Sequence, residues 1–265
     1  MKIASWNVNS VRARLPNVLG WLEKARPDIL LLQEIKCQTG DFPSFEFQAQ
    51  GYHSAVVGQK SYNGVAFLSR QEPTSILESL PGDNQDTQAR YVEAMVGGVR
   101  VASLYLPNGN PVGTEKYDYK LAWMKRLKTH IKKRLEEEIP FVLGGDFNVI
   151  PQAEDVYDPQ SWLGDALFAL TTRQHFREIL ALGMTEAFRA LHPHVKEAYT
   201  FWDYQAGAWQ RNLGLRIDHF LLSPEATDCL ISCEIDREPR GLEKASDHTP
   251  ILIELDLTKI NPRPS

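Results

Sequence analysis

The sequence is poor in cysteine and lacks any long apolar run. Its three cysteines are an odd number, and no pair has the spacing of a structural zinc site. No apolar stretch approaches the roughly 20 residues that span a membrane. The first residues, Met-Lys-Ile-Ala-Ser-Trp, form no signal-peptide pattern. We therefore expect a cytoplasmic protein with reduced thiols and no membrane partner.

Positive charge is also scarce. Lysine and arginine number 29 against 34 aspartates and glutamates, which gives a net charge of −5. Nucleic-acid-binding proteins are usually basic, so this balance counts mildly against a nucleic-acid partner. A metal-dependent nuclease, however, must concentrate acids in its pocket. What matters is therefore whether the cations gather around that pocket, and the net charge does not reveal this.

The remaining composition, 43% hydrophobic and 24% charged over 265 residues, is typical of a globular protein. There is no solenoid-like repeat and no linker. Blocks of strand pattern, including 199–204 and 215–223, alternate with helices near 11–24, 116–138, 172–182 and 185–190. Each long helix has only one apolar stripe, which predicts two packed sheets covered by helices on their outer faces. We expect one domain over 1–257, a loose tail at 258–265, and a monomer.

The predicted helix over 116–138 carries a dense run of cations. Such a run is compatible with DNA binding or with a solvated outer face. We favour the solvated face, because Glu136 to Glu138 follow at once and no base-reading motif accompanies the run. The cations are Lys125, Arg126, Lys128, Lys132, Lys133 and Arg134.

The segment from Phe141 to Asn148 is an apolar run that ends in two glycines, an acid and an amide. Side chains alternate along a strand, so Asp146 and Asn148 are predicted to point the same way. Gly144 and Gly145 leave room for another backbone or a substrate. Taken alone, the segment also fits a buried strand ending in a turn, with Asp146 as a cap.

The same pattern recurs along the chain. Other apolar segments end in polar side chains: Asn7 and Asn9, Glu34, Tyr105 and Asn108, Asp218, and Asp247 with His248. Each residue has an ordinary explanation on its own, such as a solvent-facing acid or a core tyrosine. If the segments converge, they form a site with four carboxylates, one imidazole and several amides. Hard oxygen ligands of this kind suit Mg²⁺ or Mn²⁺.

The order of these motifs resembles that of a known family. They are Trp6-Asn7-Val8-Asn9, Leu32-Gln33-Glu34-Ile35-Lys36, Tyr105-Leu106-Pro107-Asn108, Gly145-Asp146-Phe147-Asn148, Arg216-Ile217-Asp218 and Ser246-Asp247-His248. The sequence is similar to the bacterial exonuclease III branch of abasic-site (AP) endonucleases, in the endonuclease/exonuclease/phosphatase superfamily, as far as about Leu255. This resemblance implies a four-layer α/β sandwich: two packed, mainly antiparallel sheets flanked by helices, with the active site at one end of the sheets.

The resemblance also implies an activity. It points to a Mg²⁺-dependent phosphodiesterase, with Mn²⁺ as a substitute, that cuts 5′ to abasic sites in duplex DNA and trims 3′ ends during base excision repair. Two alternatives share the fold: the phosphatases and sphingomyelinases of the superfamily, and RNA-binding homologues without the catalytic set. The intact acids and His248 argue against the second, and the segments around Phe201 and Leu215 argue against the first.

Roles are carried over by position. The catalytic residues implied are Tyr105, Asp146, Asn148, Asp218 and His248. The metal ligands implied are Asn7, Glu34, Asp146, Asn148, Asp247 and His248. The DNA contacts implied are Lys36, Arg90, Asn108, Phe201, Leu215 and Ile217, of which Phe201, Leu215 and Ile217 would wall a pocket for a flipped, base-free sugar. Vertebrate members carry Trp at the position of Leu215 and Asp at that of Asn9.

Overall fold

The computed structural model describes residues 1–260. The strands are β1 Lys2–Asn7, β2 Ile29–Gln33, β3 His53–Val57, β4 Val65–Ser69, β5 Thr74–Leu77, β6 Tyr91–Val96, β7 Val99–Tyr105, β8 Phe141–Asp146, β9 Thr185–Glu186, β10 Phe201–Trp202, β11 Gly214–Leu215, β12 Asp218–Leu222, β13 Leu230–Ile235 and β14 Ile251–Leu255. The α-helices are α1 Val11–Ala25, α2 Ser44–Ala49, α3 Glu115–Leu135, α4 Leu170–Leu180, α5 Ala187–Leu191 and α6 Pro224–Asp228. Short 3₁₀ turns lie at Thr39–Asp41, Ala153–Asp155, Glu238–Gly241 and Leu257–Lys259.

The strands form two large sheets and one small ribbon. The first sheet has the order β13-β14-β1-β2-β4-β3, the second has the order β5-β6-β7-β8-β12-β9, and β10 pairs with β11. The pairs β1–β2 and β7–β8 are parallel, because α1 and α3 carry the chain back as crossover helices. The other strand pairs within residues 1–260, such as β8–β12, are antiparallel. The prediction of mainly antiparallel sheets is confirmed.

Three apolar clusters show how the layers pack. One fills the space between the sheets and contains Leu31 and Phe67 from the first sheet with Val101 and Phe220 from the second. A second joins the outer face of the second sheet to α3 and α4, and a third joins the first sheet to α1 and α2. Helix, sheet, sheet and helix are thus stacked, and the predicted four-layer sandwich is confirmed.

Two strand predictions near the site were too long. The segment predicted as one strand over 215–223 is divided, because Arg216 and Ile217 leave the sheet between β11 and β12. The hydroxyl of Thr200 accepts the backbone N–H groups of Ile217 and Asp218, and the N–H of Arg216 donates to the carbonyl of Asp155. For the same reason, only β10 of the segment predicted as a strand over 199–204 is a strand in the structure. Hydrogen bonds to distant segments take the place of the regular hydrogen bonds between neighbouring strands.

Other differences lie at the edges of elements. Helix α3 ends at Leu135, before the three glutamates, and the segment predicted as a helix over 185–190 begins instead as the edge strand β9. Strand β5 was not predicted. On α3, Lys125, Lys132 and Lys133 are exposed, as expected for a solvated face. Of the predicted tail, residues 261–265 lie outside the described part of the chain.

Within residues 1–260, none of the helices is both long enough and apolar enough to cross a membrane.

Candidate active site

The carboxyl ends of the inner strands meet at one end of the sandwich. Asn7 ends β1 and lies beside Gln33, the last residue of β2, so that Glu34 follows next to it. In the second sheet, Tyr105 at the end of β7 and Asp218 at the start of β12 both pair with Asp146 on β8. Each sheet therefore brings its polar strand ends to the same edge, and the predicted convergence of these segments is what the register produces.

The side-chain amide of Asn7 joins the two sheets at this edge. Its nitrogen donates to Glu34 Oε1 and to Asp146 Oδ2, at 2.9 Å in each case. Its oxygen accepts the backbone N–H of Asn9 at 3.0 Å. The amide therefore holds a carboxylate of the first sheet against one of the second. Ligand atoms of Glu34, Asp146 and His248 all lie within 4.8 Å of one another.

His248 lies between two carboxylates. Its Nδ1 is 2.8 Å from Asp218 Oδ2, and its Nε2 is 3.7 Å from Asp146 Oδ2. Burial alone lowers the pKa of His248, but the charges of Asp218 and Asp146 outweigh it and raise this pKa to about 10. The imidazole is therefore protonated at neutral pH: its Nδ1–H donates to Asp218, and its Nε2–H faces Asp146. The second oxygen of Asp218, Oδ1, is buried without a partner, so it can accept a further donor.

The acids and the phenol of the site differ in protonation. Burial raises the pKa of Asp146 to about 7, with Asp218 and Glu34 adding to the rise and His248 opposing it. Burial also acts on Glu34, but Lys36 and Asn7 overcome it and lower the pKa of Glu34. Burial and the nearby charge of Glu34 raise the pKa of Tyr105 well above its ordinary value, so its hydroxyl remains a donor.

Two asparagines form the amide side of the site. The backbone N–H of Asn148 donates to Asp146 Oδ1 at 2.9 Å, and its side-chain nitrogen donates to the carbonyl of Leu106 at 2.9 Å. Asn108, which is exposed, donates from Nδ2 to Asn148 Oδ1 at 3.3 Å. Just before Asp146, Gly145 allows β8 to lie against β7, since a Cβ at this position would collide with the Leu104 carbonyl.

Several site residues have left-handed backbone conformations that residues other than glycine rarely adopt. The φ angles are 44° for Asn9, 48° for Glu34, 52° for Lys36 and 47° for Asn148. Each of these residues directly follows a strand or lies within three residues of its end. Strained backbone of this kind gathers where surrounding contacts fix a functional geometry. The strain thus marks the same strand ends that carry the acids and amides.

An apolar cluster adjoins the polar centre. Phe201 pairs with Leu215 across the β10–β11 ribbon and forms an isolated bridge to His248, with the two rings 5.0 Å apart. Phe201, Leu215 and Ile217 belong to one apolar cluster. Leu215 and Ile217 are almost completely buried, whereas Phe201 is half-buried. Phe201 is therefore the member of the three that a ligand can touch most readily.

The other predicted contact residues occupy the rim. Lys36 forms an ion pair with Glu34 at 2.9 Å, and the guanidinium of Arg90 lies 4.8 Å from the ring centre of Tyr105. Both cations are half-buried beside the acids. Asp247 is not part of the group formed by Glu34, Asp146 and His248. Its carboxylate accepts hydrogen bonds from Asn9 Nδ2 at 3.2 Å and from Ser246 Oγ at 3.3 Å.

Sequence reasoning missed several residues that shape the site. Trp162 and Phe168 pack in the same apolar cluster as Phe201, from a loop that looked only rich in Asp and Pro. Arg216 was noticed as part of a motif but received no role; it is fully buried and paired with Asp155 and Glu186. Lys120 is buried beneath Asn108 and Asn148. The sequence did contain a signal for Lys120, because this residue stands one turn before Met124 on the apolar stripe of the predicted helix.

These donors fit a divalent cation. Glu34 and Asp146 offer carboxylate oxygens from different sheets, and Asn7 keeps them together despite their like charge. Hard oxygen donors beside an amide and a protonated imidazole are typical of metal-dependent phosphoester hydrolases. The fold and the site thus define that class of enzyme.

The chain belongs to the Endonuclease/Exonuclease/phosphatase family, whose model matches residues 4–248. It is 33% identical to exodeoxyribonuclease III of Haemophilus influenzae, over 96% of this chain and 99% of that protein. The AP endonuclease from Archaeoglobus fulgidus superimposes with a TM-score of 0.93 and 38% identity, covering 97% of this chain and 99% of the other. The 3′ phosphatase NExo from Neisseria, solved with a product DNA hairpin, gives a TM-score of 0.94 and 41% identity over the same shares. The predicted exonuclease III relationship and enzyme class are confirmed.

Proposed function

We propose that this enzyme is a Mg²⁺-dependent DNA repair phosphodiesterase. It cuts duplex DNA on the 5′ side of abasic sites and removes nucleotides or blocking groups from 3′ ends, within base excision repair. The observation that carries the proposal is the Asn7-bridged pair of Glu34 and Asp146 beside His248 and the half-buried ring of Phe201. A polar centre for a phosphate thus adjoins an apolar slot for a sugar without a base. The names of the similar proteins, an exodeoxyribonuclease, an AP endonuclease and a 3′ phosphatase, agree with it.

Each residue has a definite task in this proposal. Glu34 and Asp146 would hold the Mg²⁺, which when bound takes up the negative charge that develops on the phosphate oxygens. Asp146 orients the attacking water and accepts its proton. His248 donates from Nε2 to a non-bridging oxygen, and Asn148 donates or accepts beside it. The bond between phosphorus and the 3′ oxygen breaks, and the hydroxyl of Tyr105 serves the departing oxygen as a donor.

The rim would bind the DNA backbone. Lys36, Arg90 and Asn108 surround the acids with two cations and an exposed amide, which is the chemistry that positions phosphates without reading bases. Asp247 keeps Asn9 in place rather than joining the innermost ligands. The remaining predictions also stay proposals: the chain forms a single domain over 1–257 and acts as a monomer in the cytoplasm. Light scattering after size-exclusion chromatography tests the oligomeric state.

A second activity is favoured by the Neisseria relative, which is described as a 3′ phosphatase. A 3′-phosphate presents the same phosphate chemistry with no nucleotide on the far side. The same centre can therefore hydrolyse it without using the apolar slot. The RNA-binding alternative has no use for a buried Glu34–Asp146–His248 group, and the lipid-phosphate alternative has no use for a ring beside His248.

The experiment compares four substrates with Mg²⁺, with Mn²⁺ and with excess chelator: a duplex with one abasic site, a duplex with a 3′-phosphate, an undamaged duplex, and an inositol phosphate. We expect cleavage of the first two, slower trimming of the third, and none without metal. Asp146→Asn should lower single-turnover cleavage by on the order of a thousandfold, with DNA binding retained. Asp228→Asn, on the exposed end of α6, is the control. Hydrolysis of the inositol phosphate alone, or of no substrate, would refute the proposal.

A further inference from the structure

Lys120 is a buried amine that the reaction described above leaves without a task. It lies in the second turn of α3 with no solvent exposure. Its Nζ donates to the carbonyl of Asn148 at 2.6 Å and to that of Asn108 at 3.0 Å. Both acceptors are main-chain oxygens and not carboxylates, so they form no ion pair that would offset the hydration lost by the ammonium group.

Packing alone does not explain a lysine at this position. Tyr117, Met124 and Leu127 of α3 are buried on the same side of the helix, so an apolar residue would continue the stripe. Burying an ammonium group is unfavourable unless it is paired or hydrogen-bonded. A methionine has similar length and would fill the space without this cost. The amine must therefore serve a purpose that depends on its two hydrogen bonds.

Those two bonds end on the two amide residues of the site. Asn148 has a left-handed backbone, with φ at 47°, and Asn108 precedes Gly109, with φ at 85°. Their side chains contact each other, and Asn148 also contacts Asp146 through its N–H. Gly109 lies directly against the lysine, since a Cβ there would come within 2.6 Å of Lys120 Cδ. One ammonium thus joins the two turns through their backbone carbonyls, in addition to the bond from Asn148 Nδ2 to the Leu106 carbonyl at 2.9 Å and the Asn108–Asn148 side-chain contact at 3.3 Å.

We propose that Lys120 is a positioning residue for phosphodiester hydrolysis: its two hydrogen bonds hold the turns of Asn108 and Asn148 so that both amides face the phosphate. The inference rests on the proposed function, because that function gives the amides a phosphate to contact. Lys120 itself does not touch the substrate, since it is fully buried and its bonds point at carbonyls.

The first test replaces the lysine by an apolar residue of similar length. In Lys120→Met we expect kcat per correctly folded site to fall by about 10- to 100-fold, the scale of a small misplacement of catalytic groups. The Mg²⁺ concentration for half-maximal activity should change little, because Glu34 and Asp146 are untouched. Met124→Ala, a core change on the same helix, is the control: it should lower the melting temperature and keep kcat. An unchanged kcat in Lys120→Met, or a loss equal to that in the control, would overturn the inference.

A second test does not require catalysis. In the metal-free protein without DNA, the side-chain amide NMR signals of Asn108 and Asn148 should shift in Lys120→Met and stay in place in Met124→Ala. If Lys120→Met fails to fold, Lys120→Gln replaces it, because a shorter amide cannot reach both carbonyls. Unshifted asparagine signals would refute the positioning role. Shifted signals in Lys120→Met, together with a wild-type protein that cleaves none of the proposed substrates, would refute the proposed function and leave only the structural part of the inference, that Lys120 holds the two turns in place.

Discussion

The imidazole of His248 and the carboxylate of Asp218 form a buried pair, with Nδ1 and Oδ2 2.8 Å apart. Asp218 begins β12 directly opposite Asp146 on β8, so the sheet register brings both acids to the same histidine. The N–H on Nδ1 is therefore committed to Asp218, and Nε2 faces Asp146 and the space between the sheets. The pair fixes both the direction of the ring and its charge.

Asp218→Asn should therefore change the pH dependence of cleavage. The amide carries no charge, so the pKa of His248 should fall from about 10 by roughly 1 to 3 units. Because the protonated ring is the active form, cleavage should decline at a lower pH in the variant than in the wild type. Single-turnover rates on a duplex with a base-stable abasic analogue measure this. Asp203→Asn, which changes an exposed acid in the loop after β10, should keep the wild-type profile; the same profile in Asp218→Asn would contradict the assignment.

Glu34→Gln should weaken metal binding. The substitution keeps the shape of the side chain but removes the carboxylate that Lys36 and Asn7 keep charged. The Mg²⁺ concentration for half-maximal cleavage should rise by about tenfold or more. The rise in melting temperature that Mg²⁺ gives the wild type should shrink as well. Glu46→Gln, on exposed α2 surface, is the matched control, and a metal titration identical to the wild type would remove Glu34 from the ligands.

Metal affinity should also depend on pH through Asp146. Its folded pKa of about 7 is above the ordinary value of 3.8, so the metal-free enzyme holds this proton up to near-neutral pH. The raised pKa means that the metal-free fold loses stability as pH rises from about 4 to about 7, and bound Mg²⁺ offsets that loss. Below pH 7 the proton competes with the metal, so affinity should fall by about tenfold per pH unit. Calorimetric titration with Mg²⁺ at several pH values measures this affinity. An affinity independent of pH would contradict the raised pKa of Asp146.

Arg216→Met should destabilise the fold. The guanidinium is fully buried, with Nε 2.8 Å from Asp155 Oδ1 and Nη1 2.8 Å from Glu186 Oε1. Removing it leaves Asp155 with Arg189 and Glu186 with the backbone N–H of Arg189, so we expect a cost of about 3 kcal/mol, the lower end for breaking a buried ion pair. Burial alone raises the pKa of Glu186, but Arg216 outweighs it and lowers this pKa to about 2.

The lowered pKa of Glu186 has a defined pH window. Its contribution to stability is complete above the ordinary pKa of 4.5 and is lost as the pH falls through about 2. Urea unfolding at neutral pH and at acid pH should therefore show a smaller acid loss in Arg216→Met than in the wild type. Arg211→Met, at an exposed position, should behave as the wild type in both conditions, and an acid loss of wild-type size in Arg216→Met would contradict the pairing.

The polar strand ends were predictable from sequence because an acid or amide directly after an apolar run has few other places to go. Asn7, Glu34 and Asp146 follow that rule, and the parallel pairs of strands set their register. Asp218 instead begins β12, and its antiparallel pairing with β8 places it opposite Asp146. Lys120 did not follow it, since a single cation among apolar residues does not reveal which carbonyls it will meet. Nothing in the local pattern around Arg216 revealed that Asp155, 61 residues away, would interrupt the strand.

The apolar side of the site was predictable only in part, for a similar reason. Phe201 and Leu215 were recognised by resemblance, and the β10–β11 pairing brings them together. Trp162 reaches the same cluster from a loop whose path depends on distant contacts, such as the bond from Asn110 Nδ2 to Asp165 at 3.1 Å. A loop without periodicity gives no signal of its direction, so its contribution emerges only from the folded chain.

Phe201→Ala tests what the apolar slot selects. The ring of Phe201 lies 5.0 Å from that of His248, next to the reaction centre, and it is one of two half-buried rings of its cluster, with Trp162. If it excludes normal nucleotides, its removal should cost roughly 1 to 3 kcal/mol of discrimination, the scale of one apolar pocket contact. The ratio of cleavage rates on matched duplexes with and without an abasic site should then fall by about 5- to 150-fold. The Mg²⁺ requirement should stay the same, because no acid is altered. Phe45→Ala, which removes an exposed ring on α2, should keep the wild-type ratio, and an unchanged ratio in a folded Phe201→Ala protein would make that ring a packing residue only.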